Sequence, residues 1–566
     1  MKSTLWRVIP RNYRRRVAGV TLTIFLRALL NFVGIATLIP ILTLMLEGED
    51  VASNRYLGWL YEAVGAESYM SFVAVVCSAV IVFILLKNVI TLILYRTERN
   101  FIYLLYKRLS ERLYLAYHAR GYGYIKQNNS AILTRNVNVV SLLFVAGVLK
   151  PIATIIGEVL LLGLIFVALV WYTPVVALLA VGLFAPVVAL FYLSMRRKLH
   201  DIGQRENEAQ RVKSRIIAES FRGYVDVEIG GAFPQMFKRF DEAMDEVVEL
   251  RKRNATIGML PQMFTEVGLA LGLSALVVVS IGTSSDDMAL MFGIFAVAAI
   301  RLIPSVRSIM SGWSTIRYNK YTIETLVDVA DDEVDERSIE HCKERMEFKR
   351  SIELRDLCFR FDDAVDDTIH NLSLTINHGE RLGIRGSSGV GKTTLFNLIL
   401  GLYRPTSGGI YVDGERLDGE NIRKWQNTIG YVSQSVFIAD LTLAENIAFG
   451  CDANEIDYAR VNEVVELANL KDFVASLGDG LNTRIGEQGS RISGGQRQRI
   501  GIARALYKGC DVLFFDEATS SLDDRTEENI NSAIRKLSDE NRSLTIVVIA
   551  HRESSLEYCD RIITLE

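Results

Sequence analysis

Six long runs of mostly apolar residues fill the chain up to about residue 310, at 17–46, 70–95, 139–170, 173–195, 256–281 and 288–310. Each is near or above the ~20 residues that a helix needs to cross the hydrocarbon core of a bilayer. Stretches such as 159–170 and 175–193 are apolar on every face, whereas a helix at the surface of a soluble protein carries one apolar stripe. The pattern predicts six transmembrane helices. Only Trp171, Tyr172, Thr173 and Pro174 separate the third run from the fourth, which predicts a transmembrane hairpin. Two long connections, 96–138 and 196–255, are charged and poor in helix breakers, and read as helix continuing beyond the membrane. Twenty such residues would project roughly 30 Å. Their polar or glycine-containing tips, 127–138 and 223–234, are expected to be docking arms.

The loops orient the spans. Arg7, Arg11, Arg14, Arg15 and Arg16 precede the first run, and both long connections are rich in Lys and Arg. The 47–69 loop offers only Arg55 among Glu47, Glu49, Asp50, Glu62 and Glu67. By the positive-inside rule both termini are expected in the cytoplasm. The first run is too long for the apolar core of a signal peptide and reads as an anchor.

From about residue 318 the pattern changes. Asp328, Asp331, Asp332, Glu333, Asp335 and Glu336 form an acidic stretch without apolar periodicity, and short β-branched runs, glycine-rich turns and amphipathic helices follow it. The expected organisation is an all-α transmembrane domain of six helices over 1–322, a linker over 323–346 and an α/β domain over 347–566. Charge is nearly balanced, 63 Lys+Arg against 66 Asp+Glu, which argues against a basic nucleic-acid-binding surface. The six cysteines form neither a CxxC pair nor metal-ligand spacing, and are expected to be buried, reduced thiols.

Chemistry concentrates in the second half. Gly386-Ser387-Ser388-Gly389-Val390-Gly391-Lys392-Thr393 fits G-x-x-x-x-G-K-[ST], follows a strand-like 381–385 and precedes a helical 394–402. That context predicts a P-loop. Backbone N–H groups would wrap phosphates at a helix N-terminus, Lys392 would reach the β/γ-phosphates and Thr393 would meet Mg²⁺. Val512-Leu513-Phe514-Phe515-Asp516-Glu517 reads as a buried strand ending in two carboxylates. Asp516 is suited to hold Mg²⁺, and Glu517 to polarise an attacking water. Ile492-Ser493-Gly494-Gly495-Gln496 opens a helix with free N–H groups, which is an anion site in itself.

With these motifs the chain resembles the ABC transporter family, and specifically its exporter-type half-transporters, in which six spans are fused to one nucleotide-binding domain. The resemblance implies an ATPase that uses ATP and Mg²⁺ and is coupled to transport. Gly386, Ser387, Ser388, Gly389, Val390, Gly391, Lys392, Thr393 and Thr394 would then bind nucleotide, with Phe361 stacking on adenine. Ser493, Gly494, Gly495 and Gln496 look like the signature that closes on the ATP of a second domain. Gln434 resembles the Q-loop glutamine near Mg²⁺, Asp523 the D-loop aspartate and His551 the switch histidine that contacts the γ-phosphate. The 486–489 stretch lies where exporters touch the transmembrane arms. One chain holds one such domain and its hydrolysis residues are intact, so the resemblance implies a homodimer.

Cargo must be read from the membrane half. Its spans carry Arg27, Lys87, Arg301 and Arg307. Arg27 stands roughly 16 Å of helix beyond Arg16, near mid-bilayer. A charge there costs on the order of 2.5–3.5 kcal/mol, and such groups face a cavity or a partner. Glu158 and Glu266 are possible partners. Either these cations form intramembrane ion pairs, with Lys87 and Arg307 snorkelling, or they line a cavity for an amphipathic anion. The chain is also similar to bacterial flippases of lipid-linked oligosaccharides, through 34–40 in the first span and a 47–69 loop in which Tyr56, Trp59 and Tyr61 would seat at the membrane surface. That similarity implies a lipid-linked pyrophosphate cargo in a bacterial inner membrane. Other lipids, drugs and peptides are alternative cargoes, and an ATP-gated channel or an importer is the alternative activity.

Overall fold

The computed structural model describes residues 7–9, 11–47, 55–65, 68–172, 174–280, 285–330, 332, 344–362, 364–486, 492–517, 524–540, 542–550 and 552–565. The chain divides into two compact units, one of Met1–Arg120 with Tyr124–Val334 and one of Asp335–Glu566, with which Gly121–Gly123 also group.

The first unit is helical. Its long elements are α1 (Arg11–Ala36), α2 (Tyr69–Ala119), α3 (Lys150–Tyr172), α4 (Pro174–Arg222), α5 (Phe233–Ser280) and α6 (Ser285–Tyr318). Among the described residues Tyr13–Ile41, Tyr69–Ala119 and Ser130–Trp171 are long and apolar enough to cross a membrane. The other three predicted runs lie in α4, α5 and α6, apart from Thr173 and Ile281, which fall outside the described residues. α2, α4 and α5 are 51, 49 and 48 residues long, about twice what a bilayer requires.

Prolines account for two local irregularities, whereas Pro186, Pro261 and Pro304 lie within continuous helices. Helix α1 stops at Ala36 and a second helix, Leu38–Glu47, resumes after Thr37. Pro40 has no N–H for the Ala36 carbonyl, and its ring crowds it. Before Pro151, the turn Val145–Leu149 widens into π geometry, which spares the Gly147 carbonyl the same clash. The 47–69 loop carries a helix, Arg55–Val64, with Tyr61 edge-on to Phe72 at 5.0 Å.

Packing of the helical unit joins distant helices. Phe191 on α4 meets Phe264 on α5 and Trp313 on α6 edge-on, at 6.2 and 6.0 Å. A Cβ on Gly203 of α4 would lie 1.9 Å from the Tyr318 carbonyl oxygen of α6, so the two backbones approach only because this residue is glycine. Further along α2, Leu105, Leu109 and Leu113 share a core with Phe144, Val148, Ile323 and Leu326. The last two belong to a helix, Tyr321–Asp328, so the first part of the segment read as linker is ordered against α2. Arg120 holds it further, through Asp328 at 2.9 Å and Asp332 at 2.8 Å.

The first arm reverses earlier than its polar tip suggests. The short helix Gly121–Gln127 begins at Gly121, whose φ is +81°, and Asn129 then caps Ser130–Arg135 by accepting from the Ala131 N–H at 2.9 Å. The 130–135 stretch is therefore helix, and the reversal lies at 120–129. The second arm reverses where expected, around Tyr224–Ile229 between Gly223 and Gly230.

The second unit is α/β. An antiparallel sheet has the order β2-β1-β4-β5, from β1 (Ser351–Phe359), β2 (Ile369–Asn377), β4 (Ser407–Val412) and β5 (Glu415–Arg416). A parallel sheet has the order β6-β7-β8-β3-β9, from β3 (Arg381–Gly386), β6 (Ile429–Val432), β7 (Val512–Asp516), β8 (Thr545–Ile549) and β9 (Arg561–Leu565). All residues of β7 and β8 are buried, as their unbroken apolar character requires in a parallel sheet covered on both faces. The fold class is thus the expected one, an all-α half fused to an α/β half.

The cysteines differ from expectation in burial. Cys451 is exposed, and Cys77, Cys358, Cys510 and Cys559 are half-buried free thiols. Cys451 follows the turn glycine Gly450 at φ +100°, which leaves it outside the core. Cys342 lies outside the described residues.

Candidate functional site

Strand register gathers the motifs. Ile549 at the end of β8 pairs with Ile384 on β3 and with Asp516 at the end of β7. The loop after β3, the carboxylates after β7 and the residues after β8 therefore share one sheet edge, the carboxyl end at which open parallel sheets bind ligands.

Helix α7 (Lys392–Ile399) starts from Gly391, whose φ of +101° and tight approach to Ile369 suit only glycine. Lys392 is buried, and its ammonium donates to the carbonyls of Gly386 and Ser387 at 2.9 and 3.0 Å. Its charge is thus folded over the loop formed by Gly386, Ser387, Ser388, Gly389 and Val390. Thr393 donates to Asp516 Oδ1 at 3.4 Å, and Thr394 follows in the same turn of α7. Burial, together with the adjacent Glu517 carboxylate, pushes the Asp516 carboxyl above its usual range. A divalent cation between Thr393 and Asp516 would supply the missing counter-charge, so these residues fit Mg²⁺.

Gln434 donates from Nε2 to Glu517 Oε2 at 2.9 Å. Glu517 has a left-handed backbone, φ +48°, and its N–H donates to the Ile549 carbonyl at 3.0 Å. Such a conformation costs a non-glycine residue about 1–3 kcal/mol and is retained where the surroundings enforce it. Phe361 packs edge-on to Phe359 and Tyr403, at 4.9 and 5.6 Å.

The signature opens α8 (Gly494–Tyr507) with a reciprocal cap. Ser493 accepts from the Gln496 N–H at 3.2 Å, and the Gln496 side chain accepts from the Ser493 N–H at 2.8 Å. Gly494 and Gly495 form the first turn. Asp523, His551 and 487–489 lie outside the described residues.

Two neighbours of the site were not singled out from the sequence. Tyr431 donates its hydroxyl to Asp516 Oδ2 at 3.3 Å, and it was legible as the outward residue of a strand beside β7. Gln498, buried in α8, donates to the Gln434 carbonyl at 2.8 Å and so ties the signature helix to the Q-loop.

In the helical unit the four cations do not share one site. Arg27 forms an ion pair with Glu98 at 2.8 Å, with both side chains largely buried. Neither expected partner serves it: Glu158 faces Arg301 at 3.5 Å and accepts from Ser305 at 2.6 Å, and Glu266 accepts from Gln262 at 3.0 Å. Glu98 sits just beyond the second apolar run and was counted with the cytoplasmic connection. Lys87 donates to Asn31 at 3.4 Å. Arg27, Asn31, Tyr95, Thr154, Glu158 and Arg301 line a cavity of about 320 Å³. Arg307 lines a different one, of about 530 Å³, with Lys150 and Glu266.

Comparison with known proteins agrees with this geometry. Residues 369–520 match the ABC transporter family. The chain is 31% identical to an ATP-dependent lipid A-core flippase of Ralstonia nicotianae over 70% of its own length and 67% of the relative's. It is 30% identical to the protein of the same description from Cupriavidus pinatubonensis, with the same coverage. Its fold is similar to the solved structure of a bacterial Atm1-family ABC exporter with ATP bound, with a TM-score of 0.72 and 21% identity, covering 98% of this chain and 94% of that one. With the P-loop, the paired carboxylates and the capped signature on one α/β unit, and apolar spanning helices on the other, the chain belongs to the ABC transporter family, as an exporter-type half-transporter whose ATP hydrolysis is coupled to transport.

Proposed function

We propose that two copies of this chain form an ATP-driven flippase of an anionic, lipid-linked substrate in a bacterial inner membrane, with both termini cytoplasmic. The observation that carries the cargo reading is the cavity of about 320 Å³ in which Arg27 and Arg301 stand among apolar spans. A phosphate or pyrophosphate head group is the chemistry that two guanidinium groups and Asn31 would recognise there. The lipid A-core flippases among the relatives support a lipid cargo, and a lipid-linked oligosaccharide pyrophosphate is the specific form proposed. Lys87 and Arg307 would meet the head group on its way to or from that cavity. The transmembrane part is assigned to 1–322, the linker to 323–346 and the nucleotide-binding domain to 347–566.

In the ATPase half, Phe361 stacks on adenine and 386–394 wraps the phosphates. Ser493, Gly494, Gly495 and Gln496 of one copy complete the site of the other, together with Asp523. Thr393, Asp516 and Gln434 hold Mg²⁺, which when bound neutralises charge on the β- and γ-phosphates. Glu517, oriented by Gln434, accepts a proton from the attacking water, and His551 contacts the γ-phosphate. Closure of the two domains on ATP drives the arms and turns the cavity outward. Supporting a second copy, the arm tip exposes Phe221, Tyr224, Val225 and Ile229, an apolar cluster that a lone chain leaves in water.

The test is transport by the purified full chain in liposomes containing a fluorescent polyprenyl-pyrophosphate oligosaccharide, with Glu517→Gln as control. ATP-dependent movement between leaflets, lost in the control, is the expected result. No movement alongside intact ATPase activity would overturn the cargo and redirect it to other lipids, drugs or peptides.

A further inference from the structure

Gln498 of α8 is 4% exposed, and its side-chain amide donates to the backbone carbonyl of Gln434 at 2.8 Å and, more weakly, to that of Ser433 at 3.5 Å. A carbonyl oxygen can only accept, so the amide must present its NH2 group to this loop. Its own oxygen is buried and has no hydrogen-bond partner among the described residues. A buried acceptor without a donor costs stability, and an apolar side chain of the same size would avoid that cost. The glutamine is therefore explained by what its NH2 group holds, and not by packing.

The held loop is fixed on both flanks as well. Gly501 lies three residues on, on the same face of α8. A Cβ there would stand 2.8 Å from Val436 Cγ2 and 3.4 Å from Val432 Cγ1, so the helix backbone touches the residues on either side of Ser433–Ser435. Between them the Ser433 hydroxyl donates to the Ser435 carbonyl at 2.8 Å. From this fixed backbone the Gln434 side chain reaches Glu517 Oε2 at 2.9 Å. Helix α8 carries the signature glycines in its first turn, so one element sets both the signature and, through two hydrogen bonds in series, the carboxylate of Glu517.

We infer that Gln498 is a positioning residue for ATP hydrolysis: by fixing the backbone of Gln434 it sets where the Gln434 side chain holds the Glu517 carboxylate. The inference rests on the reading of Glu517 as the general base and of Gln434 as the residue that orients it. Loss of the Gln498 amide leaves the phosphate loop as it is and lets the carboxylate drift, and misplacement of about 1 Å can cost up to roughly a hundredfold in rate.

ATP hydrolysis by four full-length variants tests it: Gln498→Met, Gln434→Ala, the two combined, and Gln498→Glu. Gln498→Met fills the same space without a donor, and its kcat is expected to fall roughly tenfold with KM for ATP within about twofold. In the Gln434→Ala background the same substitution should change kcat less than about twofold, because its effect travels through the Gln434 side chain. Gln498→Glu keeps the shape but sets a carboxylate against two carbonyls. Only its protonated form donates, so its kcat relative to the unsubstituted protein should rise as the pH falls. That series reads one folded protein against itself and stands where Gln498→Met fails to fold. Normal turnover in Gln498→Met, losses that multiply in the combined variant, or a pH-independent ratio in Gln498→Glu would each overturn the inference. Normal turnover in Gln434→Ala would instead sink the reading of Gln434 on which it rests.

Discussion

The side-chain amide of Gln434 donates to the carboxylate of Glu517 across 2.9 Å, joining the loop after β6 to the residue after β7. Glu517 is held at the same time by its left-handed backbone and by its N–H on Ile549. Side chain and backbone of the residue are thus both fixed, as the general-base role proposed for Glu517 requires.

Replacement of Glu517 by Gln should leave ATP binding intact and slow hydrolysis by roughly 10²–10⁴-fold. The amide keeps the shape but cannot take a proton. Single-turnover hydrolysis alongside nucleotide-binding measurements checks this, and near-normal turnover would remove Glu517 from the role. Gln434→Ala should lower kcat less, because it loosens the base without removing it.

Arg27→Ala should destabilise the helical half by about 3–5 kcal/mol, because it strands the Glu98 carboxylate, 4% exposed, without its cation. Thermal unfolding of the detergent-solubilised protein reads this. The double variant Arg27→Ala/Glu98→Ala should recover most of the loss; if it does not, the pair is not what holds these helices.

Arg301 separates cargo binding from ion pairing. Arg301→Ala and Arg301→Ala/Glu158→Ala should both lower transport at least about tenfold if the guanidinium binds the anionic head group. A double variant that transports normally would reduce Arg301 to a counter-ion for Glu158. Leaflet-exchange assays at fixed cargo density distinguish the two.

Gly391→Ala should abolish ATP binding while leaving the sheet folded. The methyl group meets a φ of +101° and lies 3.0 Å from Ile369 Cδ1, so the loop that wraps the phosphates must deform. Fluorescent-nucleotide titration and circular dichroism check the two halves of the expectation.

Short-range chemistry was legible in the sequence and long-range pairing was not. Gly386 to Thr393 announce a phosphate loop because spacing alone dictates its turn. The apolar helices show because runs as apolar as 159–170 leave no polar face to turn towards water. By contrast, Arg27 and Glu98 lie far apart in sequence, and only the packing of α1 on α2 brings them together. Position along the chain puts Glu98 in the connection after the second apolar run, where nothing in the pattern marks it as the partner of Arg27. The first arm misled through Gln127, Asn128 and Asn129, a polar run that reads as the tip: Asn129 instead caps the helix Ser130–Arg135, and the chain turns from Gly121 onward. Tyr431 was hidden because a tyrosine in a strand is ordinary until the neighbouring strand ends in an aspartate.

The short helix Tyr321–Asp328 shortens the leash between the two halves. Its buried side chains share one core with those of α2, and Arg120 grips Asp328 and Asp332 beyond it. The sequence that leads on towards the ATPase half therefore departs from a point fixed to the end of α2, and whatever displaces that end displaces the point of departure with it.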